Sequence, residues 1–366
     1  MEGPGVRRRS NVGEPEESAG LGALTATHDK RIVSFILRRL LVIPLSVFVV
    51  VSAAFALVNL LPGNPAITIA GGFVTEERVA EIEEALGLNR SLGSRYIEYV
   101  KDLSKGDLGN SYYTDTPIID ELIERLPNSI ELVVPAIAVA AGFGLILGGI
   151  AAYARRRVTE RVSRLMITLT QSIPDFLLAL ILIYLVFFLL GWAPAPVGRL
   201  EISESKPEQI SGFPLLDAAL RGEWKILISL LHHMMLPVFA LGFVYSAYFA
   251  KISRTTLAES LGSKQVEFAR ACGLSEWQVF RYAFLVARTP LLTYTAMLFG
   301  TLLGGAAIVE TIFSWRGMGQ WALEAMLKVD LPAIQGFVLV TGLSTLLIYL
   351  ILDIIVMILD PRVKYP

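Results

Sequence analysis

The sequence predicts an all-α integral membrane protein with six transmembrane helices, and three observations carry that prediction. Of 366 residues, 54% are hydrophobic, and the mean hydropathy is +0.58. Soluble domains average roughly 45–50% apolar residues without runs of twenty. Here such runs recur, and about 20 residues suffice to cross a bilayer core of roughly 30 Å. Lipid offers no partner to an open backbone N–H or C=O, so runs of this kind must be helical.

The spans fall at 36–61, 130–153, 165–190, 226–249, 291–313 and 334–359. Ahead of them, 1–30 is polar and rich in Gly, Glu and Arg, with neither an apolar core nor a small-residue cleavage pattern. It reads as a disordered tail rather than a cleaved signal peptide. Residues 31–366 form one transmembrane domain. Lys and Arg collect on the cytoplasmic side of a membrane protein. With the amino terminus inside, the inner segments hold twenty of the 32 basic residues, among them Arg7, Arg8, Arg9, Arg155, Arg156, Lys264, Arg270 and Arg281. Both termini are then cytoplasmic in a multi-pass protein of the cell membrane.

Between the first two spans, 62–128 is soluble in character and forms an extracytoplasmic helical loop. Thr75 can cap a helix with Val79, Ile82 and Leu86 on one face, closed by Gly87. A second amphipathic stretch groups Tyr96, Ile97, Val100 and Leu103.

On the inner side, 250–288 carries a compact module, VEFARACGLSEWQVFRYAF in 266–284. Ser263 is a favoured N-cap and Gly273 a favoured terminator, which sets a helix over 264–272. Ser275-Glu276-Trp277-Gln278 is a capping box for the next helix. Glu267 stands three residues from Lys264 and from Arg270, a spacing that allows surface pairing. Val266, Ala269 and Cys272/Gly273 make a small apolar strip. A helix this short is marginal alone, so it either connects two spans or docks on a partner surface.

Several chemistries are excluded. A single cysteine rules out an internal disulfide framework, and Cys272 reads as a small semi-buried residue. No phosphate loop, His-Glu-x-x-His or Gly-x-Ser-x-Gly occurs. His232 and His233 point about 100° apart on a helix, so no metal or cofactor site is expected. A net charge of −1 gives no sign of nucleic-acid binding. Acids inside spans are candidates for function. Asp175 follows Pro174 and lies eleven residues, about 16 Å of helix, from Arg164. It can line a water-filled cavity and meet a cationic group, or it can hydrogen-bond backbone freed at the proline. Glu310, a second pathway candidate, and Asp353 fall near span ends and suit helix orientation.

Glu267-x-Ala269-x-x-x-Gly273 resembles the EAA loop of ABC-importer permeases, and from Ile36 onward the chain is similar to the oligopeptide/dipeptide (peptide/nickel) permease family, first-permease type. The resemblance runs through Ile36-Leu-Arg-Arg-Leu, Leu61-Pro-Gly-Asn-Pro-Ala66, Gly106-Asp-Leu-Gly109 and Arg125-Leu-Pro127. It continues through Ser172-Ile-Pro-Asp-Phe176, Leu236-Pro237, Glu310-Thr-Ile-Phe-Ser-Trp315, Gly317-x-Gly319, Asp330-x-Pro332, Gln335-Gly336 and Asp360-Pro-Arg362. Phe268, Asp175, Arg316 and the stretch Ala287-Arg-Thr-Pro290 depart from the family pattern.

The resemblance implies a type I ABC importer permease with an EAA-type coupling helix. It implies a second homologous permease, two ATPase subunits that hydrolyse the ATP, and an extracellular substrate-binding protein. Ser263, Val266, Glu267, Phe268, Ala269, Arg270, Gly273 and Leu274 would couple ATPase closure to the spans, and peptides or related solutes would be the cargo. The alternatives are an ion- or proton-coupled secondary transporter acting alone through Asp175 and Glu310, and a membrane scaffold.

Overall fold

The structure is a computed structural model that describes residues 42–60, 64–70, 75–153, 157–201 and 203–359. The expected disordered tail, the start of the first span, Leu61 to Gly63, Arg155, Arg156 and the Asp360-Pro-Arg362 motif lie outside these residues. The chain divides into a leading unit, Met1–Phe48, whose residues 42–48 are helical, and a main unit, Val49–Pro366.

Among the described residues, five helices are long and apolar enough to cross a membrane: α1 (Val42–Leu60), α5 (Ile118–Tyr153), α9 (Trp224–Leu261), α11 (Glu276–Gly305) and α14 (Leu331–Leu359). Between α1 and α5 lie α2 (Pro65–Ala70), α3 (Glu76–Ala85) and α4 (Leu92–Leu103). Between α5 and α9 lie α6 (Arg157–Gln171), α7 (Asp175–Leu182), which continues as a π-helix over Ile183–Leu189, and α8 (Pro214–Arg221). Between α9 and α11 stands α10 (Lys264–Ala271), and between α11 and α14 stand α12 (Ala307–Ile312) and α13 (Met318–Leu327). Among the described residues the only extended pairing is a bridge between Asn110 and Pro117.

The third expected span is a broken pair instead of one rod. α6 and the α7–π segment meet at 89°. Pro174 has no N–H to continue α6 and disfavours helical backbone at Ile173. Pro174 itself is extended (φ −62°, ψ 140°). The estimate of 16 Å of continuous helix between Arg164 and Asp175 therefore fails, because the helix from Arg164 stops at Gln171. Other boundaries move as well. α5 begins at Ile118, twelve residues before the expected start at 130, with Asp120 and Glu121 in its first turn. α11 stops at Gly305, so Glu310 sits on the separate helix α12 rather than within the fifth span.

The centre of the main unit is the seam between α5 and α9, and small residues make it. A Cβ on Gly144 would stand 2.6 Å from Phe249 Cβ, and one on Gly148 would stand 2.6 Å from the Ala250 carbonyl oxygen. Across the seam, a Cβ on Gly242 would stand 2.6 Å from Val139. Ala136, Ala140, Ala240, Ala247 and Ala250 are fully buried. In lipid no hydrophobic force joins two apolar helices, so close approach of backbones through small residues supplies the packing. α14 closes the unit with Gly336 against Ile118 and Thr345 against Gly300.

α3 buries its expected face, Val79, Ile82 and Leu86, in part. α4 rotates relative to expectation. Tyr96 hydrogen-bonds Ser52 at 2.7 Å and Phe55 meets the Tyr96 and Tyr99 rings, while Ile97 and Val100 are exposed.

Candidate functional site

The module after α9 folds much as its caps dictate. Gly262 ends α9, and Ser263 (φ −73°, ψ 151°) enters α10 as N-cap. Its hydroxyl makes no cap bond and is buried without a partner among the described residues. The turn is held by the Ser263 carbonyl, which accepts from the Val266 and Glu267 N–H groups at 3.1 and 3.0 Å. At the other end Gly273 is left-handed (φ +76°), where a Cβ would be strained. The Leu274 N–H reaches back to the Ala269 carbonyl at 3.2 Å. The capping box is complete: Ser275 N–H donates to Gln278 Oε1 at 2.9 Å, and Gln278 N–H donates to Ser275 Oγ at 3.4 Å.

α10 is bolted to the spans by a small apolar core of its own. Val266 packs with Val279 and Ala283 of α11, flanked by Leu261 and Leu274, and Ala269 is buried as well. The expected strip therefore turns inward, and it ends at Ala269. Cys272 is exposed rather than semi-buried, because α10 stops at Ala271. Arg270 pairs with Glu276 at 3.8 Å instead of Glu267, and among the described residues no ion pair holds Glu267. Lys264, Glu267, Phe268, Arg270 and Gly273 all face out. Phe268 is 70% exposed, on the face opposite the buried Val266 and Ala269.

Asp175 opens α7 directly after the break. Its Oδ1 accepts the Phe176 N–H at 2.8 Å, so the backbone-bonding alternative is realised with one oxygen. Asp175 is half-buried and Pro174 exposed.

Glu310 is enclosed. Only 1% exposed, it receives the Ser129 hydroxyl at 2.6 Å and the Gln320 N–H at 2.9 Å, and the Gly319 N–H also points to it. Ser129 Oγ in turn accepts from the Met318 N–H at 2.7 Å. These bonds hold a turn between α12 and α13 in which Ser314 (φ 51°) and Arg316 (φ 55°) are both left-handed, at about 1–3 kcal/mol of strain each. A Cβ on Gly317 would lie 2.4 Å from Glu310 Oε1, so only glycine fits there.

Behind the turn stands a cluster that local reading of the sequence did not find. Trp315 Nε1 donates to the Asn128 carbonyl at 2.8 Å, and Asn128 Nδ2 donates to the Arg316 carbonyl at 3.0 Å. Arg199, from the loop before α8, lies over the Trp315 ring at 4.9 Å and bonds both Asn128 and Glu131. Glu131 also accepts the Leu215 N–H at 2.9 Å. The two histidines bond different carbonyls, His232 that of Trp192 and His233 that of Ser229.

With this geometry, comparison with known proteins is direct. The family of binding-protein-dependent transport system inner membrane components matches residues 144–365, and the N-terminal region of such membrane components matches 32–133. The chain is 35% identical to the probable D,D-dipeptide transport system permease protein DdpB of Escherichia coli K12, over 84% of this chain and 91% of that protein. It is 35% identical to the di/tripeptide transport system permease protein DppB of Pseudomonas aeruginosa, over 91% of this chain and 99% of that one. It is 34% identical to the dipeptide permease DppB of Alkalihalophilus pseudofirmus, over 90% and 98%. A multi-pass array of apolar helices with small-residue seams and an exposed helical knob between two of them fits a transport permease rather than a catalytic subunit. The chain belongs to the family of inner membrane components of binding-protein-dependent transport systems.

Proposed function

We propose that this permease imports peptides or related solutes. It forms the translocation pathway with a second homologous permease, receives cargo from an extracellular binding protein, and is driven by two separate ATPase subunits. The observation that carries the reading is α10: a short helix fixed to α9 and α11 by the packing of Val266 with Leu261, Val279 and Ala283 and by the capping box, with Glu267, Phe268 and Gly273 facing out. A knob built this way transmits force because it does not yield to it. When an ATPase pair closes around α10, the displacement passes through the Val266–Val279–Ala283 core into α11, which is continuous from Glu276 to Gly305. In this orientation α10 and both termini are cytoplasmic, and residues 62–128 lie outside. Asp175 and Pro174 flank the pathway, and Glu310 orients its outer wall from behind. The curated relatives are peptide permeases by name, which supports peptides as cargo.

Purification of the tagged chain from membranes in mild detergent tests the assembly. ATP-hydrolysing subunits and a second permease are expected to co-purify. A chain that purifies alone and moves a solute in liposomes without ATP overturns the proposal. The exposed single cysteine tests orientation: an impermeant maleimide is expected to label Cys272 in inverted vesicles and not in right-side-out ones.

A further inference from the structure

Where α5 ends and α11 begins, the two helices leave an open groove of about 670 Å³. Leu145, Ile146 and Ile150 of α5 line one side, and Phe284 and Leu285 of α11 the other. Three rings edge the groove near the helix termini. Trp277 stacks on Phe280 with centroids 5.8 Å apart, and Phe280 meets Tyr153 edge-on at 6.4 Å. Among the described residues Arg281 is the one charged group of the lining, and it is exposed, without ion pair or hydrogen bond.

These residues follow the order of a lipid leaflet. Trp277 is the second residue of α11 and Tyr153 the last of α5, and Trp and Tyr are the ring types that settle at a membrane–water interface. Back along α5, from Tyr153 to Leu145, the groove runs about 12 Å and turns aliphatic. One leaflet contributes about 15 Å of hydrocarbon, half of the bilayer core. The apolar walls do not choose between a lipid tail and a partner helix, because lipid tails are as apolar as leucine. Charge does choose. A partner helix would have to bring an acid to the depth of Arg281 or leave the guanidinium unpaired against it. A zwitterionic lipid carries its own cation beside the phosphate. An anionic phospholipid supplies both a net negative headgroup and a tail, and basic pockets between membrane helices take such headgroups.

We propose that the groove between α5 and α11 binds one anionic phospholipid, its phosphate on Arg281 at the aromatic rim and an acyl chain along Ile150, Ile146 and Leu145. The assignment to the inner leaflet rests on the cytoplasmic placement of α10; the site itself does not. Val279 and Ala283, on the same turns of α11 as Phe280, Arg281 and Phe284, belong to the core that holds α10. A lipid in the groove therefore backs the segment on which α10 is mounted.

The test places the full chain, with whatever subunits co-purify, in phosphatidylcholine nanodiscs. These carry a trace of phosphatidylglycerol or phosphatidylcholine with a diazirine on one acyl chain, and adducts are mapped by mass spectrometry. The phosphatidylglycerol probe is expected to label 145–153 and 277–285 saturably, about fivefold to tenfold more than the phosphatidylcholine probe, the effect of one cation near the membrane surface. In Arg281→Gln that preference is expected to fall to about twofold or less. Ile150→Trp, at an exposed position, fills the groove and is expected to remove the saturable adducts. With p-benzoylphenylalanine in place of Ile146, irradiation is expected to give no adduct with another protein chain. An adduct with a second permease there, equal labelling by the two lipids, or an unchanged preference in Arg281→Gln overturns the proposal. A chain that purifies alone yet keeps the preference overturns the assembly proposed above and leaves the lipid site standing.

Discussion

Glu310 and Asp175 are both acids placed where one helix gives way to another, and the protein treats them in opposite ways. Around Glu310 every feature closes the site. Ser129 and the backbone of Gly319 and Gln320 donate to its carboxylate, Gly317 leaves no room for a Cβ, and the left-handed turn at Ser314 and Arg316 is locked from behind by Trp315, Asn128 and Arg199. Around Asp175 one oxygen caps α7, the other is open among the described residues, and the side chain is half-buried. A buried carboxylate with a full set of donors is a rivet: removing it strands the donors. An acid left half-satisfied at a helix break contributes little to the fold, and its cost makes sense only if something else completes it. The same residue type at the same kind of position is thus structural in one region and available in the other.

Substitutions rank the two regions by thermal unfolding in detergent. Arg199→Met is expected to destabilise most, by about 3–5 kcal/mol, because it leaves Glu131 charged and buried without its partner. A loss below about 1 kcal/mol would show that the cluster is not closed. Glu310→Ala follows at about 3 kcal/mol, from the donors of Ser129, Gly319 and Gln320 that it leaves bare. Trp315→Phe keeps the ring and deletes one buried bond to Asn128, for about 1–2 kcal/mol. Asp175→Asn is expected to change stability by less than about 0.5 kcal/mol, because asparagine keeps the Oδ1 that accepts the Phe176 N–H and nearly the same volume. If it destabilised as much as Glu310→Ala, the contrast between the two acids would vanish.

The parts of this arrangement that were legible in the sequence are those whose cause is local. Ser275 and Gln278 make their reciprocal bonds because capping needs only a three-residue spacing. Gly273 ends α10 because a left-handed closing residue favours glycine. Pro174 announced a break, but its 89° angle depends on how α7 packs on α9, which no local pattern encodes. Cys272 was misjudged because the strip from Val266 was extended to the first residue past the end of the helix. The cluster behind Glu310 was silent. Arg199 meets Glu131 from 68 positions away, and Ser111 bonds Asp330 at 2.5 Å across 219. A lone arginine in a loop carries no sign of such a partner. Trp315 and Glu310 were visible as a motif, but the motif did not say that one anchors the turn and the other rivets it.

The central claim is that α10 conveys the ATPase motion to the spans, and its most direct measurement is substrate-stimulated ATP hydrolysis by the reconstituted complex carrying Glu267→Arg or Gly273→Pro. Both positions face outward, and neither belongs to the core that holds α10 to α11. Glu267→Arg leaves the backbone as it is, whereas Gly273→Pro breaks the left-handed turn (φ +76°) and misplaces α10 locally. In both, the spans are expected to remain folded in the membrane while stimulation falls to the unstimulated rate. Full stimulation in both variants, with the permease still assembled, would contradict the account and leave α10 a connector between two spans.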